Sequence, residues 1–383
     1  MLISERMKNL HPYIPGEQPK DRDYIKLNAN ENPYPPAGEV ISAVTDFIRE
    51  NPMGLAVYPD PDSSALRAAI ADMLNRTGGI LCRAVTDGDY VVPSECDRIP
   101  FEVTPDMIYA GNGSDEVLSF LFYAFFGSGD RFVMPEFTYS FYPVYAGFYN
   151  IPYDSVPLRS DWSLDTEEMV RRAAANHAGI IFANPNAPTG LALSRGEVRK
   201  MIENAPSDRI FVVDEAYADF GGESCIPLLS EFKNLVVVRT FSKSLCSAGM
   251  RLGYIVSSPE IVSAVTTVKN SVNHFPVDAI AQTAGRAACG NPAYYAECAR
   301  KVVSERGAFS GFLERKGFFV IPSKTNFLFA GKDGFSGEYI YRKIKEQGIL
   351  VRHFGTPGIE DFVRITIGTP QQMERLREAV EHL

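Results

Sequence analysis

The chain has 383 residues, 45% hydrophobic and 22% charged, the make-up of a soluble globular protein long enough for a large and a smaller domain. Its net charge of -9 argues against nucleic acid or an anionic membrane as partner, so an anionic ligand must be held by local arginines. No apolar run approaches the roughly 20 residues of a membrane span, and Met1 to Leu10 lacks a basic stretch followed by an apolar one, so a cytoplasmic protein is expected.

In chain order, residues 1–40 carry Pro12, Pro15, Pro19, Pro33, Pro35 and Pro36, which forbid a long helix. They predict an extended arm with one short strand at Tyr24 to Leu27, of the kind that packs on another domain or subunit. Val40, Ile41, Val44, Phe47 and Ile48 stand at helical spacing and predict a helix over Gly38 to Glu50. In VYPDPDSSALRAAIADML, Ser63 or Ser64 is placed to cap a second helix with Leu66, Ala69, Ile70, Met73 and Leu74 on its apolar face. Tyr58 lies in the turn before it. Residues 78–105 read as irregular, with no assignable role.

Asp106 to Ala110 predicts a strand, and GNGSDEVLSFLFYAFF turns from it into an apolar helix. The glycines, Ser114 and Asp115 at that helix start leave backbone amides free for an anion. RFVMP predicts the next strand; Tyr139, Phe141, Tyr142 and Tyr145 after it are core, or place one ring over a planar ligand. The alternation continues through a helix at Leu164 to Ala175, the strand GIIFA, the loop NPNAPTG, a helix at Ser194 to Asn204, the strand RIFVV and the loop DEAYADF. Then comes LVVVRTFSKSLCSAGMRLGY, a buried strand leading to Thr240, Ser242 and Lys243, with Arg251 a little further on before GYIV. On this stretch alone two uses are open to Lys243: a strand end pointing to solvent, or the imine-forming amine of a carbonyl cofactor whose phosphate the hydroxyls and arginine hold.

Short, continuously apolar strands between amphipathic helices imply an α/β fold: a large domain whose mostly parallel sheet is covered by helices on both faces. Nearly every polar motif follows the C-terminal end of a strand, where open α/β sheets bind ligands. From Val277 two long helical stretches, to Cys289 and from Ala293 to Lys316, lead to FFVIPSKTNFLFA, a helix at Gly337 to Gln347, GILVRHF, FVRITIG and a helix from Pro370 to His382, which reads as a smaller α+β domain. The expected division is an arm at 1–40, a large domain at 41–275 and a small domain at 276–383, with a cleft between the domains. The six cysteines form no C-x-x-C pair and the five histidines no ligand-like spacing, so neither a disulfide framework nor a metal site is expected.

Collected, the strand-end residues are Ser114, Asp115, Tyr139, Asn186, Asp214, Tyr217, Ser242, Lys243 and Arg251. Pyridoxal phosphate asks for such a set: an imine lysine, a carboxylate on the pyridinium nitrogen, donors to the phenolate oxygen, an aromatic face and a phosphate pocket. Over nearly its whole length, through NLHPY, LNANENP, YPDPDSSALR, GNGSDE, NPNAPTG, VVDEAYADF, the lysine segment, TNFLF, GILVRHF and VRITIG, the sequence resembles the class I/II aminotransferases of fold type I. The resemblance implies a catalytic set of Lys243, Asp214 and Tyr217, with Asp214 on the pyridinium nitrogen and Asn186 and Tyr217 on the phenolate oxygen. It implies Tyr139 stacked on the ring, and Thr240, Ser242, Arg251 and the backbone of Ser114 and Asp115 around the phosphate. Tyr58 matches the tyrosine that reaches the neighbouring subunit's cofactor, which implies a homodimer with shared active sites. Arg364 matches the arginine for the substrate α-carboxylate, and Arg352, Tyr13 and Asn30 match positions lining the substrate end.

The implied reaction takes an amino donor and a 2-oxo acid, L-histidinol phosphate and 2-oxoglutarate, to imidazole-acetol phosphate and L-glutamate in histidine biosynthesis. An aromatic amino-acid aminotransferase or a threonine-phosphate decarboxylase would use the same scaffold. The sequence departs from the family pattern in three places: a longer stretch at Ile80 to Thr104, Ala187 before the loop proline, and Cys246 and Ser247 after the lysine.

Overall fold

The computed structural model describes residues 2–4, 7–8, 10–88, 90–381 and 383. The arm carries β1 (Ile25–Lys26) and leads to α1 (Gly38–Glu50), at the bounds its periodicity predicts. Helix α2 (Ser64–Thr77) is not capped by either serine. Ser63 sits in left-handed backbone with φ 48°, and Asp60 instead accepts from the Asp62 and Ser64 amides at 3.0 and 2.7 Å. One carboxylate, with two acceptor oxygens, closes the turn that a single hydroxyl could not.

Residues 78–105 are more ordered than their sequence suggests. They form a hairpin of β2 (Val85–Asp87) and β3 (Tyr90–Val92), each strand too short to show a period. Asp97, 1% exposed, anchors the segment by accepting from Arg83 at 2.5 and 2.8 Å and from Ser94 at 2.6 Å.

The large sheet is laid down as β4 (Ile108–Asn112), α3 (Gly113–Phe125), β5 (Phe132–Pro135), α4 (Phe141–Tyr149), β6 (Tyr153–Val156), α5 (Thr166–Asn176), β7 (Gly179–Ala183), α6 (Arg195–Asn204), β8 (Phe211–Asp214), β9 (Leu235–Thr240) and β10 (Leu252–Ser257), followed by α7 (Pro259–Val272). The strand order is β4-β10-β9-β8-β7-β5-β6. Strands β5 to β9 pair in parallel, while β10 runs antiparallel to both β4 and β9, because the short return through Lys243 and Arg251 leaves no room for a crossover helix. Every residue of β7 to β10 is buried. Along β9, Leu235 and Val237 enter one apolar cluster and Val236 and Val238 the other, so the strand is covered on both faces. Helix α7 forms where the sequence reading assigns no element, although Ile261, Val262, Val265, Val268 and Lys269 fall at helical spacing on its buried face.

Helices α8 (Ala279–Cys289) and α9 (Pro292–Arg315) lead to β11 (Phe318–Ile321), β12 (Phe327–Lys332), α10 (Gly337–Glu346), β13 (Ile349–Leu350), β14 (Arg352–His353), β15 (Phe362–Thr366) and α11 (Pro370–Glu381). His382, the expected end of the last helix, lies outside the described residues. Strands β11, β12, β15 and β14 make an antiparallel sheet in that order. The arm joins this part of the chain: β1 pairs in parallel with β13, and the Thr366 amide donates to Leu27 O at 3.0 Å. Arg306 of α9 is buried and donates to Phe220 O and Thr325 O, tying the loop after β8 to the segment before β12. Among the described residues no helix is long and apolar enough to cross a membrane.

Candidate active site

The C-terminal ends of β4, β8 and β9 meet the start of β10, which brings together segments far apart in sequence. Close approach at this edge depends on two glycines. A Cβ at Gly253 would stand 2.3 Å from the Ser114 amide nitrogen, and one at Gly113 (φ 76°) 2.7 Å from Arg251 Nη2. Strand β10 therefore lies directly against the N-terminus of α3, which has no side-chain cap, and Arg251 reaches over it from left-handed backbone (φ 51°). A helix N-terminus beside a guanidinium is an anion cradle. Gly253→Ala forces backbone apart there, so it is expected to lower stability by about 1–3 kcal/mol, read as a shift of the denaturant midpoint.

Around this cradle a cavity of about 360 Å³ is lined by Ser114, Asp115, Tyr139, Asp214, Tyr217, Thr240, Ser242, Lys243 and Arg251. Asp115 links two of them, accepting from Tyr139 Oη at 2.8 Å and from Arg251 Nη2 at 3.1 Å. Asp214, 4% exposed at the end of β8, accepts from Tyr142 Oη at 3.0 Å and from the Ala216 amide at 3.1 Å. Burial outweighs those two donors and pushes its carboxyl up to about 6. Tyr142 is itself wholly buried, and its phenol is pushed well up by burial and by the Asp214 charge. Sequence reading leaves this tyrosine in an aromatic cluster; only the first turn of α4, passing under the end of β8, shows what its hydroxyl does.

A second cavity of about 390 Å³ adjoins the first, and Tyr139, Tyr217 and Lys243 line both. Lys243 Nζ donates to Ala29 O at 3.3 Å and lies 5.8 Å from the centre of the Tyr217 ring. Tyr13, Asn30, Arg352 and Arg364 line the second cavity, with Tyr13 stacked on Phe141 at 4.5 Å. Arg352 and Arg364 are direct cross-strand partners on β14 and β15. Arg364 is partly buried, and the loss of solvent lowers its pKa; it donates to Asn28 O at 3.1 Å, and its Nε has no hydrogen-bond partner among the described residues. Two like charges directly opposite are unfavourable unless an anion lies against them.

Two expected residues are not brought in. Asn186 lines neither cavity, whereas its neighbour Ala187 lines both. The Asn186 side chain is turned to its own loop, donating to Phe137 O at 2.9 Å and Thr189 Oγ1 at 3.1 Å, while its backbone closes the turn with Gly190 and Leu191. Tyr58 also lies away from both cavities, 80% exposed and stacked on Phe275 at 4.4 Å.

The family described as aminotransferase class I and II matches residues 22–380. The chain belongs to this family. It is 44% identical to the histidinol-phosphate aminotransferase of Syntrophus aciditrophicus, over 100% of this chain and 98% of that protein. It is 42% identical to the protein of the same name from Chromohalobacter salexigens, over 99% and 97%. Among solved structures, histidinol-phosphate aminotransferase from Sinorhizobium meliloti in complex with pyridoxal-5'-phosphate superposes with TM-score 0.77 at 23% identity, covering 94% of this chain and 92% of that one. Aspartate aminotransferase from Thermotoga maritima superposes with TM-score 0.79 at 18% identity, covering 99% of each. At such identities the likeness is one of fold. In this aminotransferase the fold carries Lys243 between two cavities, one lined by Arg251 and the other by Arg352 and Arg364.

Proposed function

We propose that the chain is a cytoplasmic, homodimeric, pyridoxal-phosphate-dependent aminotransferase that converts L-histidinol phosphate and 2-oxoglutarate to imidazole-acetol phosphate and L-glutamate, a step of histidine biosynthesis. The observation that carries this reading is the single amine of Lys243 at the joint of two cavities, with an anion cradle in one and a facing arginine pair in the other. The names of the relatives at 44% and 42% identity support the substrate.

The residues present fit pyridoxal phosphate. Asp214 is a buried carboxyl at about 6 whose charge lacks a cation, and a protonated ring nitrogen supplies one. The glycine-lined cradle at Arg251 and α3 suits a phosphate ester. When bound, the cofactor supplies a carbonyl for the substrate amine and a cationic ring that takes up the charge left at Cα.

The chain's own residues do the rest. Arg251, Ser242, Thr240 and the amides of Ser114 and Asp115 would hold the phosphate, and Asp214, oriented by Tyr142, would hold the proton on the ring nitrogen. Tyr139 would cover the ring and Tyr217 would donate to its phenolate oxygen; Ala187 has no side-chain donor, and Asn186 is turned to its own loop. Lys243 would take the proton from the substrate Cα and return it. Arg364 and Arg352 orient the substrate anions, and a pair of arginines suits a phosphate dianion in one half-reaction and carboxylates in the other. Walls of aromatic rings at Tyr13, Tyr139 and Phe354 exclude water.

The division proposed with this reading is an arm at 1–40, a large domain at 41–275 carrying the seven-stranded sheet and a small domain at 276–383 carrying the four-stranded one. Tyr58, exposed beside the exposed Met53, Leu55 and Val57, is directed to a second copy, where it completes the partner's phosphate pocket.

The test is a set of half-reactions on the purified enzyme loaded with pyridoxal phosphate, following conversion of the cofactor band. L-Histidinol phosphate and L-glutamate are each expected to convert it at low concentration, with L-phenylalanine poor. Faster conversion by phenylalanine replaces the substrate; release of carbon dioxide from a phosphorylated amino acid replaces the reaction.

A further inference from the structure

We infer that Asn30 is a positioning residue that fixes the direction in which the Tyr217 hydroxyl donates, and that Thr366 in turn fixes Asn30. This deepens the reading above and rests on it for the cofactor.

Asn30 is 1% exposed, and both ends of its side chain are engaged. Its Nδ2 donates to Tyr217 Oη at 2.9 Å and its Oδ1 accepts from Thr366 Oγ1 at 3.1 Å. The Asn30 amide donates to the same Thr366 oxygen at 3.0 Å, and Asn30 O accepts from Asn326 Nδ2 at 2.9 Å. Thr366 Oγ1 both accepts the Asn30 N–H and donates its own proton to Oδ1, and with Oδ1 held there the NH₂ of the carboxamide faces Tyr217. The Tyr217 oxygen then accepts from Asn30, and its own proton must point elsewhere. Tyr217 lines both cavities beside Lys243, so that proton is available to an acceptor within them.

The backbone supports the same placement. Asn30 has φ 54°, in the left-handed region that asparagine tolerates better than most residues. Residues 27–30 lie along β15, held by the Thr366 amide on Leu27 O and by Arg364 on Asn28 O. Thr366 and Arg364 are two apart on one strand and share a face, so the arginine of the substrate cavity and the clamp on Tyr217 are parts of one rigid edge. Asn30, matched above to the substrate end, thus acts through Tyr217.

A donor to the phenolate oxygen favours the ionised form of the bound cofactor, so losing it moves the pH midpoint of the cofactor's absorbance change upward. Asn30→Asp is nearly isosteric but has no N–H; its carboxylate takes the Tyr217 proton and turns the hydroxyl out of the cavity. The experiment is an absorbance titration against pH of parent, N30D, Y217F, N30D/Y217F and T366V, each loaded with pyridoxal phosphate, with cofactor affinity measured by fluorescence. The expected result is an upward shift of about half to one pH unit in both N30D and Y217F, no further shift in the double variant, and a smaller shift of the same sign in T366V. A further shift in the double variant means that the added charge acts directly, and overturns the inference. So does a Y217F shift that neither N30D nor T366V reproduces. If N30D does not fold, T366V decides alone. A parent with no visible band on adding cofactor overturns the pyridoxal phosphate reading itself.

Discussion

Lys243→Ala is expected to lower transamination at least about 10⁴-fold while leaving the fold and cofactor binding in place. The side chain donates a single hydrogen bond, to Ala29 O at 3.3 Å, so its removal should change stability by less than about 0.5 kcal/mol. The groups proposed to hold the cofactor, Arg251 over the start of α3 and Asp214 hydrogen-bonded to Tyr142, do not depend on it. The other lysine of the substrate cavity, Lys26, is paired with Glu31 at 3.2 Å and lines only the second cavity. No second amine is therefore placed to carry the Cα proton. Lys243→Arg is expected to be as inactive, because a guanidinium stays protonated and cannot give up and regain a proton at neutral pH. Glutamate formation in a coupled assay measures the loss, and an added small primary amine should restore part of it, more so as pH rises and the free base accumulates. Retention of more than about one part in a hundred of the parent rate would show that another group moves the proton.

What made Lys243 legible was topology rather than the lysine itself. The run Val236 to Val238 marks a strand buried on both faces, and open α/β sheets place ligands at strand ends, so Asp214, Thr240 and Lys243 could be brought together from sequence order alone. The small domain was legible in outline because its helices keep a clear period, as α10 does at Ile340 and Ile344. Contacts that depend on side-chain direction across long separations were not. Asn30 meets Thr366 across 336 positions, and Tyr142 meets Asp214 across 72; nothing in local pattern distinguishes either from a core residue. The NPNAPTG loop shows the finest limit. The resemblance implies Asn186 on the phenolate oxygen, but the backbone turn closed by Gly190 and Leu191 directs its side chain into the loop and leaves Ala187, the departure before the proline, on the cavity wall.

Asp214→Asn should have opposite effects on the cofactor-free and the loaded protein. In the cofactor-free chain burial raises the Asp214 carboxyl from 3.8 to about 6, against the pull of the Tyr142 and Ala216 donors. The folded state therefore binds the proton more tightly than the unfolded chain, and this group's contribution to stability falls as pH rises from about 4 to about 6 and stays lost above. A shift of about two units corresponds to about 3 kcal/mol. Asparagine avoids the buried charge and keeps both partners, with its oxygen accepting the Ala216 N–H and its NH₂ donating to Tyr142 Oη. At pH 8 the cofactor-free variant should thus be more stable than the parent by up to about 3 kcal/mol, and the difference should vanish below about pH 4; denaturant unfolding at both values measures it. With pyridoxal phosphate the sign reverses. The carboxylate proposed to keep the ring nitrogen protonated is gone, so turnover should fall at least about 10³-fold and the added stability from cofactor binding should shrink. A variant less stable than the parent at pH 8 without cofactor would mean that Asp214 is not a strained charge awaiting a cation, and the case for its pairing with the ring would have to rest on the loaded enzyme alone.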